Sequence, residues 1–370
     1  MMLEFKPAKR ESIPLLISVA GVSGSGKTFS ALLLAAGLAG EDGKVGGIDT
    51  ENRRMSLYCD SPTIKKALPR GFSILHLDPP FSPARYVEAI QAAEAAGITV
   101  LVLDSLSHEW EGTGGACDIA EKQKRGNMLN WAAAKLAHKR FMNCILSTKM
   151  HIVFCVRARE KVKIVEVKGK TEVVPLGLTE ITEKSAIFEM TIALMLEETT
   201  HLAIPRKVPE PLAHLFPGGK LVSKEDGERI REWNSGGAAP NPSEQLQRRA
   251  RLAADDGMEA YKKFFGGLPK AQQKVLADTT HEDNKALALA ADADRKAAEA
   301  SDSQALNENQ VQNPPTPETI KLIENHRAIL GDKFQPTLEW MNFATVEEIN
   351  SEDNARVVLA EMQKLAIKKG

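Results

Sequence analysis

A chain of 370 residues exceeds the ~150 of a typical domain, so two or three folded units are expected. Its 48 Lys and Arg balance 49 Asp and Glu, which excludes a polybasic nucleic-acid binder and leaves any such contact to local patches. With 43% hydrophobic and 26% charged residues, wholesale disorder is excluded too.

The first stretch, MMLEFKPAKRESIPLLISVA, has early basic residues, but its apolar run is short and leads into a Gly-rich loop instead of a cleavage site. It reads as a strand, not a leader. No stretch reaches the ~18 consecutive apolar residues of a membrane span. The cysteines, Cys59, Cys117, Cys144 and Cys155, form no C-x-x-C pair and read as buried reduced thiols of a cytoplasmic protein. Apolar, β-rich runs at 13–20, 44–49, 72–77, 98–104 and 151–156 alternate with helical stretches, which predicts an α/β fold with a mostly parallel sheet covered on both faces. KIVEV and TEVVPL, then FEMTIALML and THLAIP, read as antiparallel hairpins extending that sheet.

SGGAAPNP breaks the pattern and marks a linker at 236–242 after a core of 1–235. Residues 243–300 are Ala-rich and helical in pattern, with ten basic and ten acidic side chains between 241 and 300, so this small module carries no net charge to attract a polyanion. A polar, Pro-containing linker is read at 301–315. A helical end domain follows at 316–370, with Thr316 as N-cap and Pro317 as first helical residue. Ile320, Ile323, Arg327 and Leu330, then Ala355, Val358, Met362 and Leu365, recur at helical spacing.

Residues 21–28, GVSGSGKT, match G-x-x-x-x-G-K-[ST] between an apolar strand and a helical run, the context that gives this motif its meaning. Its glycines let successive N–H groups face a phosphate at the positive end of the next helix. Gly21, Val22, Ser23, Gly24, Ser25, Gly26, Lys27, Thr28 and Phe29 are the expected nucleotide cradle. Lys27 reaches the β- and γ-phosphates, and Thr28 ligates Mg²⁺. ITVLVLD ends in Asp104, a carboxylate placed to hold that metal through water. Two apolar runs separate the strands of the loop and of Asp104, so another strand is expected between them in the sheet. Ser105 follows Asp104 where many ring ATPases carry Glu, so the water-orienting base must lie elsewhere. Glu51, after the 44–49 strand, is the expected base, with Glu109 as competitor. Arg157, at the end of HIVFCV, is placed to report the γ-phosphate, or else to pair with a neighbouring carboxylate.

These segments resemble the RecA-type branch of P-loop ATPases, and more closely a family of phage-encoded ATPases related to single-strand annealing and recombination proteins. GVSGSGKTFSALLLAAGLAG, GIDTENRR, PPFSPARYVEAIQAAEAAG, LVLDSLSHEWEGTGG, HIVFCVRAREK and GERIREWNSGG carry the resemblance over about the first 235 residues. It implies a RecA-like core, Lys27 and Thr28 as nucleotide ligands, Asp104 as the metal carboxylate, Glu51 as the catalytic carboxylate and Arg157 as the γ-phosphate sensor. RecA itself has Gln at the last of these. It further implies a homo-oligomer, ring or filament, acting on single-stranded DNA with other recombination or replication proteins, some of them through the helical modules.

Two segments could contact DNA. The first carries Gly112, Gly114 and Gly115 with Lys122, Lys124 and Arg125. The second, 151–176, has six basic side chains, Arg157, Arg159, Lys161, Lys163, Lys168 and Lys170, against three acidic ones. Neither offers an aromatic stacking platform. Lys364, Lys368 and Lys369 crowd the last turn as a competing DNA site. Arg206-Lys207 are placed to reach a neighbouring subunit's γ-phosphate, and His108 to stabilise the loop after Asp104. The expected function is ATP hydrolysis coupled to single-stranded DNA in phage recombination, annealing or replication. A nucleotide-gated adaptor or helicase loader and a small-molecule kinase are the alternatives.

Overall fold

The computed structural model describes residues 7–123, 129–167, 170–239, 241–309, 315–341, 343, 345–349 and 352–367. It divides into two compact units, residues 1–294 and 295–370.

Among its described residues the first unit is built on eight strands: β1 (Leu16–Gly21), β2 (Val45–Asp49), β3 (Ser73–His76), β4 (Val100–Asp104), β5 (His151–Val167), β6 (Lys170–Glu180), β7 (Ile192–Leu196) and β8 (Ala203–Lys207). They lie in the order β3-β2-β4-β5-β1-β7-β8, with β6 pairing β5 off this path. Pairs from β3 to β7 are parallel, and β7–β8 and β5–β6 are antiparallel. A strand does separate the loop strand β1 from the Asp104 strand β4. It is β5, from later in the chain, whereas the two intervening runs became β2 and β3 beyond β4. The expected end of a strand at Arg157 is also displaced. There β5 leaves the main sheet and runs on to Val167 as one arm of an antiparallel ribbon.

Helices cover both faces because the buried strands alternate with period two. Ile17, Val19, Val102, Val153 and Leu194 face α1 (Lys27–Ala39), α2 (Pro62–Ala67) and, once the chain returns, α7 (Lys224–Ser235). Leu16, Ala20, Leu101, Leu103, Ile152 and Phe154 face α3 (Pro83–Ala95) and α6 (Ala132–Ser147). Between these last two run α4 (Ser107–Glu111) and α5 (Ala116–Lys122). Residues Ser30 to Leu38 of α1 are all buried, as expected of a helix wedged between sheet and α7. The α1–α7 crossing is backbone on backbone. A Cβ at Gly37 would lie 2.1 Å from the Lys224 carbonyl, and one at Gly227 2.3 Å from the Leu34 carbonyl.

The expected linker at 236–242 is pinned at its centre. Ala238 donates its N–H to the Arg10 carbonyl (2.7 Å) and accepts from Ser12 (2.9 Å). Helices α8 (Pro242–Asp255), α9 (Met258–Gly266), α10 (Lys270–Ala277) and α11 (His281–Asn309) follow. They enclose an apolar cluster of their own around Leu246, Ala250, Tyr261 and Leu276, and α8 meets α6 through Asn143 to Asp256 (3.0 Å) and Lys139 to Asp255 (2.7 Å). Helix continues to Asn309 through much of the stretch read as a linker at 301–315, since that sequence holds no Gly or Pro before Pro314.

In the second unit, α12 (Pro317–Leu330), α13 (Phe334–Trp340) and α14 (Glu352–Ile367) bury Ile323, Leu330, Phe334, Val358 and Met362. The Thr316 hydroxyl caps α12 by accepting from the Thr319 N–H (3.2 Å), with Pro317 in the first turn. Among the described residues no helix is long and apolar enough to cross a membrane. Of the four thiols only Cys155 is fully buried. Cys59, expected inside, is exposed on the short helical turn Arg54–Asp60.

Candidate functional site

Parallel strands put their C-terminal ends on one edge, where α/β sheets bind ligands. Register places Gly21 opposite Arg157, and Asp104 opposite both Cys155 and Asp49. Lys27, Thr28, Asp104, Glu51 and Arg157, far apart in sequence, therefore meet along one row.

The loop after β1 has the backbone a phosphate cradle needs. Gly24 (φ +85°) and Gly26 (φ +86°) are left-handed, and no heavy atom lies within 4 Å of where a Gly24 Cβ would stand. At Gly21 a Cβ would fall 2.3 Å from Ser25 Oγ, so that strand end is closed to any larger residue. The Val22 carbonyl accepts from Ser25 Oγ (2.9 Å), the Ser25 N–H (3.3 Å) and Lys27 Nζ (2.7 Å), folding the loop over itself. Ser23 is exposed at its tip. Gly26 caps α1 without any side-chain acceptor, and the first turn holds no acid, which leaves the leading N–H groups and the dipole available to an anion. Phe29 packs 6.1 Å from the Tyr58 ring.

Thr28 Oγ1 donates to Asp104 Oδ2 at 2.5 Å. Burial pushes the Asp104 carboxyl up to about 6, with the Thr28 hydrogen bond opposing. A buried carboxylate beside a hydroxyl is a hard-oxygen pair of the kind Mg²⁺ takes, with phosphate oxygens and water completing its shell. Thr28 and Asp104 fit that ion, which would neutralise charge on transferring phosphate oxygens. Among the described residues no group of three or more His, Cys, Asp or Glu could hold a metal by itself. Burial lowers the Lys27 ammonium, opposed by the charges of Cys155, Asp104 and Glu51.

Glu51 and Arg157 find each other. Arg157 Nε and Nη2 donate to the two Glu51 oxygens, each at 2.8 Å, which is the carboxylate pairing read from the sequence as the alternative to γ-phosphate sensing. Burial pushes the Glu51 carboxyl up, but the Arg157 hydrogen bonds and charge outweigh it and hold it below the usual range. The Glu51 hydrogen bond in turn raises the Arg157 guanidinium. β2 lies one strand in from the edge strand β3, so the carboxylate projects from within the sheet and not from its margin.

Glu109, the competing base, is fully buried and commits both oxygens to His138 Nδ1 (3.0 and 3.1 Å). His108 does brace the loop. Its Nδ1 pairs with Thr50 Oγ1 (2.7 Å), and its ring stacks on Phe81 at 4.8 Å. Arg206 is exposed on the edge strand β8, and Lys207 Nζ donates to the Phe188 carbonyl (2.7 Å). Lys122 and Lys161 are exposed. Lys124, Arg125, Lys168, Lys368 and Lys369 lie outside the described residues, as do the side chains of Lys163 and Lys170.

Two neighbours of the loop carried no recognisable motif. Tyr58 packs against Phe29 from the turn beyond Glu51. The His201 ring, on a left-handed backbone (φ +58°), lies 3.7 Å from where a Gly26 Cβ would stand. A left-handed His gives only a weak sequence signal. The stacked Trp110 and Trp131 rings, 5.6 Å apart at 15°, are an aromatic pair flanking the first basic segment that its own sequence does not contain.

A family model described as an AAA domain matches residues 14–204, just over half of the chain and all of the strands above except the end of β8. The chain belongs to this AAA domain family. The family is one of P-loop ATPase domains, and the matched span includes the GVSGSGKT segment. No curated protein matches. Among solved structures, a KaiC-like protein from the hyperthermophilic archaeon Pyrococcus horikoshii is similar at 16% identity and a TM-score of 0.32, over 55% of this chain and 89% of that one.

Proposed function

We propose that the chain binds ATP with Mg²⁺ on its phosphate loop, hydrolyses it, and passes the nucleotide state along the β5–β6 ribbon to single-stranded DNA in phage recombination, annealing or replication. The observation that carries this reading is Arg157. One end of its guanidinium is held by the two Glu51 oxygens, and its backbone is where β5 leaves the sheet to become the ribbon. Thr28 and Asp104 hold the metal, Lys27 and the loop N–H groups hold the phosphates, Glu51 orients the attacking water, and Arg157 answers to the γ-phosphate.

The DNA reading is supported by the six basic against three acidic side chains of 151–176, on a chain whose formal net charge is −1. The active form is a homo-oligomer, ring or filament, with the exposed Arg206 acting on a neighbour's nucleotide, and the C-terminal helices serve other recombination proteins.

Phosphate release, followed with and without single-stranded DNA over a range of protein concentrations, tests the reading. DNA stimulation and a specific activity that rises with concentration are expected. Replacing Lys161, Lys163 and Lys168 with Ala should lower the slope of log affinity against log salt by about 0.7 per lost phosphate contact while basal turnover persists. Turnover indifferent to DNA would leave a nucleotide-gated adaptor instead.

A further inference from the structure

We propose that Asp49 is a positioning residue that holds Glu51 in place by clamping the turn that carries it, an inference that rests on Glu51 being the group that orients water. Asp49 ends β2 and is buried, 2% exposed. One of its oxygens accepts the Glu51 N–H at 2.8 Å, and the other accepts the Met55 N–H at 3.1 Å. A single carboxylate thus ties both ends of the Glu51-to-Met55 turn to the strand before it.

What lies inside the clamp needs holding. Asn52 (φ +56°) and Arg53 (φ +65°) are successive left-handed residues with no glycine to make that conformation cheap. Met55 is fully buried with its sulfur pressed on the strand, since a Cβ at Gly47 would lie 2.2 Å from Met55 Sδ. On the other side, Thr50 gives its N–H to the Asp104 carbonyl (2.6 Å), while its hydroxyl accepts from the Ser105 N–H (2.8 Å). Arg157 fixes the head of the Glu51 side chain, whereas Asp49 fixes its backbone. Without Asp49 the Glu51 N–H loses its acceptor and the turn is free to relax toward right-handed backbone, carrying the carboxylate with it. A displacement of about 1 Å in such a group costs on the order of 10²-fold in rate.

The experiment compares the full chain with Asp49→Ala, Asp49→Asn, Gly47→Ala, Glu51→Gln and the Asp49→Ala/Glu51→Gln double variant, measuring kcat and, separately, the Kd of a fluorescent ATP analogue. Asp49→Ala should lower kcat by about 10²-fold with Kd unchanged, and the double variant should be no slower than Glu51→Gln alone, because both changes remove one function. Asp49→Asn keeps one accepting oxygen and should recover part of the rate. Gly47→Ala displaces Met55 without touching the carboxylate and should lower kcat in the same direction. Wild-type kcat in Asp49→Ala beside an inactive Glu51→Gln overturns the clamp alone. An equal further drop on adding Asp49→Ala to Glu51→Gln also overturns it. Wild-type turnover by Glu51→Gln removes the Glu51 reading itself. If Asp49→Ala does not fold, wild-type kcat in both Asp49→Asn and Gly47→Ala overturns the proposal.

Discussion

Replacing Glu51 by Gln keeps the shape of the side chain and removes its charge, so chemistry and stability can be separated by magnitude. The Glu51–Arg157 pair is bidentate, but the Arg157 side chain is 43% exposed against 16% for Glu51. Solvent screening therefore discounts the pair, and its loss should cost no more than about 1 kcal/mol of stability. In a unit of this size that corresponds to a melting shift of roughly 2–4 °C. Loss of a water-orienting carboxylate costs about 10²-fold or more in turnover, equivalent to ~2.7 kcal/mol of barrier. The variant should thus melt close to wild type and bind a fluorescent ATP analogue normally, yet release phosphate at least about 10²-fold more slowly. Equal phosphate release by variant and wild type would refute the assignment and move the base to Glu109 or elsewhere.

Two further outcomes concern stability. Gly37→Ala should destabilise the first unit by about 1–3 kcal/mol from overpacking, against a helix-propensity gain of about 1. The atom 2.1 Å from the new Cβ is the Lys224 carbonyl, and backbone cannot swing aside. A melting temperature equal to or above wild type would contradict this backbone crossing. His151 accepts the Leu15 N–H on Nδ1 (3.0 Å), and burial lowers its imidazole from the ordinary 6.5. Well above that pH it is neutral in both states. As pH falls below it, the unfolded chain takes up a proton that the folded chain resists, so stability drops until the folded imidazole itself protonates. His151→Asn keeps an acceptor and removes the titration, so urea melts between neutral and mildly acidic pH should show a flatter dependence than wild type. An identical slope would place the effect elsewhere.

The sheet was legible because its buried strands announce themselves as apolar runs, and ITVLVLD and HIVFCV gave β4 and the start of β5 almost to the residue. Strand order is a tertiary property. Sequence reading called for a strand between β1 and β4, but only the packed sheet assigns that place to β5. The glycine-rich G-x-x-x-x-G-K-[ST] loop was legible as a local motif, whose geometry depends on neighbours in sequence. Glu51 and Arg157 were each read as lying at the end of a strand, although β5 in fact runs on past Arg157; 106 positions separate the two, and nothing local says that they share hydrogen bonds. Asp49 stood in plain view before Glu51, yet its role depends on a turn of two successive left-handed residues; Asn52 commonly adopts that backbone, but Arg53 gives no sign of it. Residues 301–309 read as a linker from their polarity, but polar residues without Gly or Pro also make helix.

The edge formed by Lys27, Thr28, Asp104 and Glu51 is proposed to bind and hydrolyse ATP with Mg²⁺. Phosphate release by the purified full chain, with Mg²⁺ and then with excess chelator, beside Lys27→Ala under the same conditions, tests it most directly. Metal-dependent release that Lys27→Ala abolishes is the predicted result. Release that survives in Lys27→Ala, or that ignores the chelator, would contradict it.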